Sequence, residues 1–180
     1  MPPASDPGGD ARSAGGYTGG ATPWRTASAQ VLVGDLSRPV LSDEAQHHLR
    51  RVLRLEPGAT VCAYDGVGSW TLGHLGDGAE LEDCTPVGFS GPPTVTLTVG
   101  FAALKGSRNE LVVQKLTEIG IDRIWVLRTR RSVVRWDSAR AARHLGKLQR
   151  VAAEACAQCR RLRLPAIEVL DFADVTSPGG

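Results

Sequence analysis

The chain has 180 residues, 42% of them hydrophobic and 22% charged, with a net charge of +2. That is globular composition, with too much apolar material for a wholly disordered chain, and no run approaches the ~18 apolar residues a membrane span needs. The small net charge hides an asymmetry: residues 1–93 carry 6 basic and 11 acidic groups, residues 94–180 carry 15 and 8.

In chain order, residues 1–26 come first, rich in Gly and Pro, with Trp24 among the few large apolar residues. Such a segment buries too little to offset its ordering entropy, so a disordered tail is expected through Thr26. It has no apolar h-region and carries Asp6 and Asp10, which argues against a secretory signal and for a cytoplasmic protein. Residues 30–36 read as a strand. Ser42 caps a helix running to about Leu55, with Ala45, Leu49, Val52 and Leu53 on one face and Arg50, Arg51 and Arg54 on another. Pro57-Gly58 is a turn. Strands are expected at Thr60–Tyr64, Ser69–Leu75 and, after Asp77-Gly78, Ala79–Cys84. Short strands at this spacing predict a small β-barrel over residues 27–91. Phe89–Pro93 reads as a linker, and it coincides with the charge switch.

The second unit, 94–180, has a different rhythm. Thr94–Phe101 is a β-branched strand, followed by a loop with Lys105-Gly106. Ser107-x-x-Glu110 has the form of a capping box opening a helix, whose stripe would be Val112, Leu116 and Ile119 and whose stop would be Gly120. Ile121–Leu127 is the next strand, which makes a β-α-β unit with parallel strands. Asp137 or Ser138 caps a long helix to about Arg161. One face holds Ala141, Leu145, Leu148, Ala152, Ala155 and Cys159; the other holds Arg140, Arg143, Lys147, Arg150 and Arg161. Leu164-Pro165 ends it, and Ala166–Leu170 is a third strand.

Arginine dominates the basic groups, and its planar fork suits phosphate. Arg50-Arg51-x-x-Arg54 lies in the barrel. Lys105-x-x-Arg108 sits at a strand-to-helix loop, where backbone N–H groups also face an anion. Arg128-x-Arg130-Arg131-x-x-x-Arg135 comes after the second strand at its C-terminal end, where open α/β sheets bind ligands. Two readings fit the helix stripe equally: a surface for a phosphate-rich partner and a merely solvated face. Cys156-x-x-Cys159 lacks the further ligands a zinc site needs, so no metal is expected and both thiols read as packing groups. Neither a P-loop nor a dinucleotide fingerprint is present.

The motif His47-His48-Leu49-Arg50-Arg51-Val52-Leu53-Arg54-Leu55-x-Pro57-Gly58, with Tyr64-Asp65-Gly66, resembles the N-terminal domain of the 16S ribosomal RNA uridine-N3 methyltransferases (RsmE-like). Four further segments resemble that family in order: Leu104-Lys105-Gly106-x-Arg108, Val113-Gln114-Lys115-x-Thr117-Glu118-Ile119-Gly120, Arg131–Arg135, and Ala153-Glu154-Ala155-x-x-Gln158-Cys159-x-Arg161-x-x-Leu164-Pro165. The resemblance spans about residues 30–168. It implies a PUA-like RNA-binding barrel followed by the first part of a SPOUT-type (trefoil-knot) parallel α/β domain. It also implies a homodimer, S-adenosylmethionine as methyl donor, and 16S rRNA in the small ribosomal subunit as substrate. On it, Arg131 or Arg135 favours the anion that develops as uridine N3 loses its proton. Arg50, Arg51, Arg54, Lys105, Arg108, Arg150 and Arg161 match basic positions suited to RNA. Gln114, Lys115 and Glu118 match the first helix motif, in RNA contact or in loop support.

Two departures stand out. Arg160 occupies a position where the family has Gly, and Ala157 one where it has Glu. The glycine-rich Gly-Pro-Glu-Gly-Gly segment of the family's cofactor pocket is absent from these residues, so the cofactor contacts are expected beyond Gly180. The alternative is a non-catalytic RNA-binding protein derived from such an enzyme. A metal or redox protein using Cys156 and Cys159 is the weakest reading.

Overall fold

The computed structural model describes residues 22–130 and 138–176. It contains a five-stranded mixed sheet and a three-stranded parallel sheet. The chain begins with a short helix, α1 (Pro23–Thr26), with Pro at its start. Residues 23–26, expected to belong to a disordered tail, are helical here, and Trp24 finds a partner in Trp70, with ring centroids 5.1 Å apart; residues 1–21 of that expected tail lie outside the described residues.

The barrel is built from β1 (Ala29–Leu32), β2 (Thr60–Tyr64), β3 (Ser69–Leu75), β4 (Leu81–Glu82) and β5 (Gly88–Phe89). β1 and β2 are parallel; β3 is antiparallel to β2 and pairs with β4 at one end and β5 at the other. The segment after β1 bonds back to β4: the amide of Leu41 donates to the Ala79 carbonyl at 2.8 Å and that of Leu81 to Pro39 at 3.0 Å. These bonds close the sheet on itself. The return strand expected over Ala79–Cys84 is cut to two residues, since Asp83 turns into the left-handed region at φ 48°. Phe89 and Ser90 belong to the barrel: Phe89 pairs with Ser69, and the amide of Ser90 donates to the Gly68 carbonyl. The linker is correspondingly shorter than expected.

α2 (Asp43–His47) starts as expected, with the Ser42 side chain accepting from the Ala45 amide. From His48 to Val52 it winds as a π-helix. The wider turn changes the angular step between residues, so Leu49 stays buried while Val52 and Leu53 face solvent. Arg54, at φ 53°, ends it.

The parallel sheet comprises β6 (Thr98–Ala102), β7 (Arg123–Arg128) and β8 (Ala166–Asp171), in that order. α3 (Arg108–Glu118) joins β6 to β7, and α4 (Ser138–Cys159) joins β7 to β8. Both helices contribute to one core with the sheet, around Val113, Ile124, Val126 and Leu148. β6 begins four residues later than expected. The buried residues of α3 are Asn109, Val113 and Thr117, whereas Ile119 is 70% exposed. The predicted stripe is one position off because polar Asn109 and Thr117 share the core face. Thr117 is satisfied there by donating to the Val113 carbonyl at 2.8 Å. Gly120, at φ 92°, stops α3 as predicted. The amides of Gly120 and Ile121 donate to the carbonyls of Thr117 and Leu116, a Schellman closure.

β2 is buried on both faces. Val61 and Ala63 enter the barrel core. Cys62 and Tyr64 enter a third cluster with Trp70, Cys156 and Leu162, which joins the barrel to α4. Polar bonds line the same seam. Gln30, 5% exposed, donates from Nε2 to the Arg161 carbonyl at 2.8 Å, and Leu164 pairs with Gly66. Arg163 Nη2 donates to the Ser90 carbonyl at 2.6 Å. Of the two thiols read as packing groups, Cys156 is buried and Cys159 partly buried; Cys62 is buried too, and burial pushes the pKa of Cys62 and of Cys156 up to about 12. No group of three or more metal-ligating side chains exists among the described residues.

Asp65 organises the β2–β3 turn, its Oδ1 accepting from the amides of Val67 at 2.8 Å and Ser69 at 3.0 Å. Burial alone would raise its pKa, but the bonds from Ser69, Val67 and Gly68 outweigh it, and the net direction is down. A carboxylate held below its unfolded value adds stability that is complete above that value, about 3.9, and lost as pH falls through the folded one. Asp65→Asn is expected to lower stability by about 1 kcal/mol at pH 7. In urea unfolding measured from pH 7 to pH 3, that deficit should shrink below about pH 4; a pH-independent deficit contradicts the assignment.

Candidate nucleic-acid interface

Because the three strands are parallel, their C-terminal ends share one edge, the side on which open α/β sheets bind ligands. β6 is extended there by the Ala103 amide donating to the Leu127 carbonyl at 3.0 Å. β7 and β8 end in register as Arg128 opposite Asp171, and Arg128 Nη2 meets Asp171 Oδ2 at 2.8 Å. Beside this pair the loop 103–107 enters α3. Gly106 lies at φ 65°, which favours glycine.

Asn109 shapes that loop. It is 3% exposed. Its Oδ1 accepts from the Leu104 amide and its Nδ2 donates to the Leu104 carbonyl, both at 2.8 Å. One amide thus satisfies both backbone groups of the residue preceding Lys105. The predicted capping box does not form: Ser107 makes no side-chain cap bond. Glu110 instead pairs with Lys147 of α4 at 2.8 Å. Burial pushes Glu110 up, but the Lys147 bond and charge bring it net below the usual carboxylate range. The entrance of α3 is fixed by Asn109 below and by Lys147 alongside.

Lys105 and Arg108 project from this braced loop, exposed and without a partner among the described residues. Arg130 is exposed at the same edge, after β7. Arg131 and Arg135, the expected catalytic cations, lie outside the described residues.

The remaining predicted residues are placed elsewhere. Arg50 donates from Nη2 to the carbonyls of Gly76 and Gly78, both at 2.7 Å, so it braces the β3–β4 turn of the barrel. Arg51 and Arg54 are exposed on the barrel near it. Gln114 Nε2 and Lys115 Nζ both donate to the Glu118 carboxylate, at 3.0 and 2.7 Å. Lys115 first, then Gln114, hold Glu118 below its usual range. These bonds tie the three side chains together along α3. Arg150 is exposed twelve residues into α4, about 18 Å along its axis from the helix start.

Arg161 departs from its expected place. α4 ends at Cys159 and Arg160 turns to φ 61°, so Arg161 leaves the basic stripe. Its guanidinium is engaged inside the protein. Nη1 donates to the carbonyls of Ile121 at 2.6 Å and Thr117 at 3.4 Å, and Nη2 pairs with Asp122 at 2.8 Å. It sits at the opposite end of the sheet from Lys105. Asn109 and Asp122 are the residues sequence reasoning missed. An Asn one residue inside a helix opening is a usable signal for the first; nothing local marks the second.

Comparison with known proteins agrees with this arrangement. A family model described as an RNA methyltransferase domain matches residues 91–177, and one described as an RNA methyltransferase PUA domain matches residues 41–79. The ribosomal RNA small subunit methyltransferase E of Mycobacterium tuberculosis is 31% identical over 133 residues, which are 72% of this chain and 50% of the relative. The chain therefore spans about half the length of the curated relatives it matches. Among solved structures, a probable rRNA-methyltransferase from Porphyromonas gingivalis superposes with a TM-score of 0.67 at 23% identity, covering 84% of this chain and 64% of that one. A ribosomal RNA small subunit methyltransferase E from Neisseria gonorrhoeae, bound to S-adenosyl methionine, does so with 0.68 at 20% identity, covering 84% and 66%. The lobe closed by β1–β5 is of PUA type, the parallel sheet has the fold of its RsmE-type neighbours, and the two family models that match the chain are both those of RNA methyltransferases.

Proposed function

We propose that the protein of which these residues form part methylates N3 of a uridine in small-subunit ribosomal RNA, with S-adenosylmethionine as donor. The observation that carries the reading is the braced loop at the strand ends, which holds Lys105 and Arg108 toward solvent without a partner among the described residues. Units of 27–91 for RNA and 94–180 for the methyltransferase fold suit the two sheets. A homodimer accords with the family resemblance.

In this reading Lys105 and Arg108 hold phosphates and orient the strand, while the barrel's Arg51 and Arg54 extend the contact. Uridine N3 carries a proton at neutral pH. A cation at the strand ends lowers the energy of the anion that forms as the proton leaves, which is the role proposed for Arg131 or Arg135.

The donor makes different demands. A sulfonium carrier needs a concave pocket with few competing cations. The described residues at the strand ends present Lys105, Arg108, Arg130 and the Arg128–Asp171 pair instead. Neither cleft described in the molecule opens there: one lies on the barrel beside Arg38 and Glu80, the other at the seam. The described residues do not fit the donor, and no step is assigned through it.

The test is genetic and chemical. Disrupting the gene that carries this reading frame should remove 3-methyluridine from small-subunit rRNA nucleosides, measured by mass spectrometry, and the intact gene should restore it. Unchanged 3-methyluridine overturns the proposal.

A further inference from the structure

At the opposite end of α3 from the strand-end loop, a cleft of about 400 Å3 opens between the barrel and the parallel-sheet lobe. Its walls combine two chemistries. Trp24, Pro93 and Ile119 are apolar, while Arg25, Arg160 and Arg163 are cationic. The two acids that also line it are neutralised, Glu118 by Lys115 and Asp122 by Arg161. Arg25 is exposed and without a partner among the described residues. Arg163 keeps Nη1 free of its bonds to Ser90 and Gly91 and lies 5.3 Å over the Phe89 ring.

Arg160 is the unusual member. It stands at φ 61°, the left-handed conformation that glycine adopts freely and a residue with a Cβ resists. Only one bond is formed by its guanidinium among the described residues, from Nη2 to the Ser28 carbonyl at 3.2 Å, and Nη1 is buried without a partner. A strained backbone therefore places an incompletely paired cation at the cleft. Ile119, 70% exposed, adds an apolar surface open to solvent among the described residues.

Apolar and aromatic walls next to arginines are how proteins hold unpaired nucleotides: the base lies on the apolar surface and the phosphate meets the cations. We infer that this cleft takes one nucleotide unit of an RNA strand, its base against Trp24, Pro93 and Ile119 and its phosphate against Arg25, Arg160 and Arg163. The inference rests on the RNA reading above and adds a second contact region. The two regions lie at opposite ends of α3, whose eleven residues span about 16 Å. A strand engaging both is held at two points along one face.

The experiment uses the 180-residue chain and a fluorescein-labelled octauridylate, followed by anisotropy over a salt series. Arg160→Gly suits the observed φ and should fold at least as well as the parent. Arg25→Glu changes an exposed residue. The double variant is expected to bind at least 10-fold more weakly. The slope of log K against log salt should become shallower by about 0.7, the value for one single-strand phosphate that is no longer neutralised. Uridine monophosphate should compete better than inorganic phosphate, and the octamer should bind more tightly than the monophosphate. Equal competition by phosphate overturns the nucleotide assignment, and an octamer no tighter than the monophosphate overturns the strand. Unchanged RNA affinity in the double variant overturns the inference and leaves the cleft to a protein segment. If affinity then still falls with Lys105→Ala/Arg108→Ala, the strand-end reading survives alone. If the parent chain binds no octamer at low salt, both readings fail.

Discussion

Arg161→Ala is expected to cost about 3 kcal/mol of stability, through loss of a pair of groups that are mostly withdrawn from water. The Arg161 and Asp122 side chains are 15% and 19% exposed. One guanidinium serves three partners at the base of the second lobe: it caps the C-terminus of α3 through Thr117 and Ile121 and neutralises Asp122. Truncation leaves the Ile121 carbonyl and one Asp122 oxygen without their partner. Asp122 would retain its other bond, in which Oδ2 accepts from the Leu97 amide at 3.0 Å. For a chain of this size the loss corresponds to a drop in Tm on the order of 10 °C, measurable by circular dichroism. Arg161→Lys should recover only part, because a single ammonium cannot span the fork. Neither variant should alter the salt dependence of RNA binding at matched folded fraction, since the guanidinium is already satisfied. A change below 1 kcal/mol, or a shallower salt slope, refutes a structural role for Arg161.

Asn109→Ala should have the next largest effect. It removes two hydrogen bonds and strands both backbone groups of Leu104 in a partly buried loop, an expected loss of about 2–3 kcal/mol. The effect should also be local. The Leu104 amide, protected in the parent, should exchange faster with solvent in the variant. RNA affinity should fall although Asn109 is buried and touches no ligand, because Lys105 and Arg108 then sample many positions. Asn109→Asp retains the acceptor for the Leu104 amide and loses the donor, so it should fall between the two. Equal affinities for parent and Asn109→Ala, at matched folded fraction, would show that the loop needs no bracing.

Much of the local structure is legible in short-range patterns. Thr60–Tyr64 and Ser69–Leu75 match β2 and β3 residue for residue, since β-branched alternation and Gly turns bound them on both sides. Gly120 stops α3 as its backbone freedom suggests. The failures share a cause: the deciding partner is remote in sequence. Glu110 satisfies a capping pattern with Ser107 on paper, yet Lys147, thirty-seven residues on, claims it. Arg161 continues a helical stripe by arithmetic, but the helix ends at Cys159 and Asp122 supplies a buried counterion. Val52 and Leu53 fall off the apolar face because of the π turn, which no 100° count anticipates. In the candidate interface, the loop cations Lys105 and Arg108 could be picked out by spacing. Asn109, which steadies them, looks like one more polar residue near a helix start.

The strand buried on both sides, β2, has a thermodynamic consequence for recognition. Its alternate residues belong to the barrel core and to the joint with α4, so neither lobe can pivot without opening apolar surface around Tyr64 and Cys156. The two lobes should melt in one transition, as a single cooperative unit. A receptor with no hinge between its halves has no conformational freedom to give up on binding. The adjustment, and its entropy, then falls on the nucleic acid, so substrates already bent or unstacked to the right shape should be favoured over flexible ones of the same sequence.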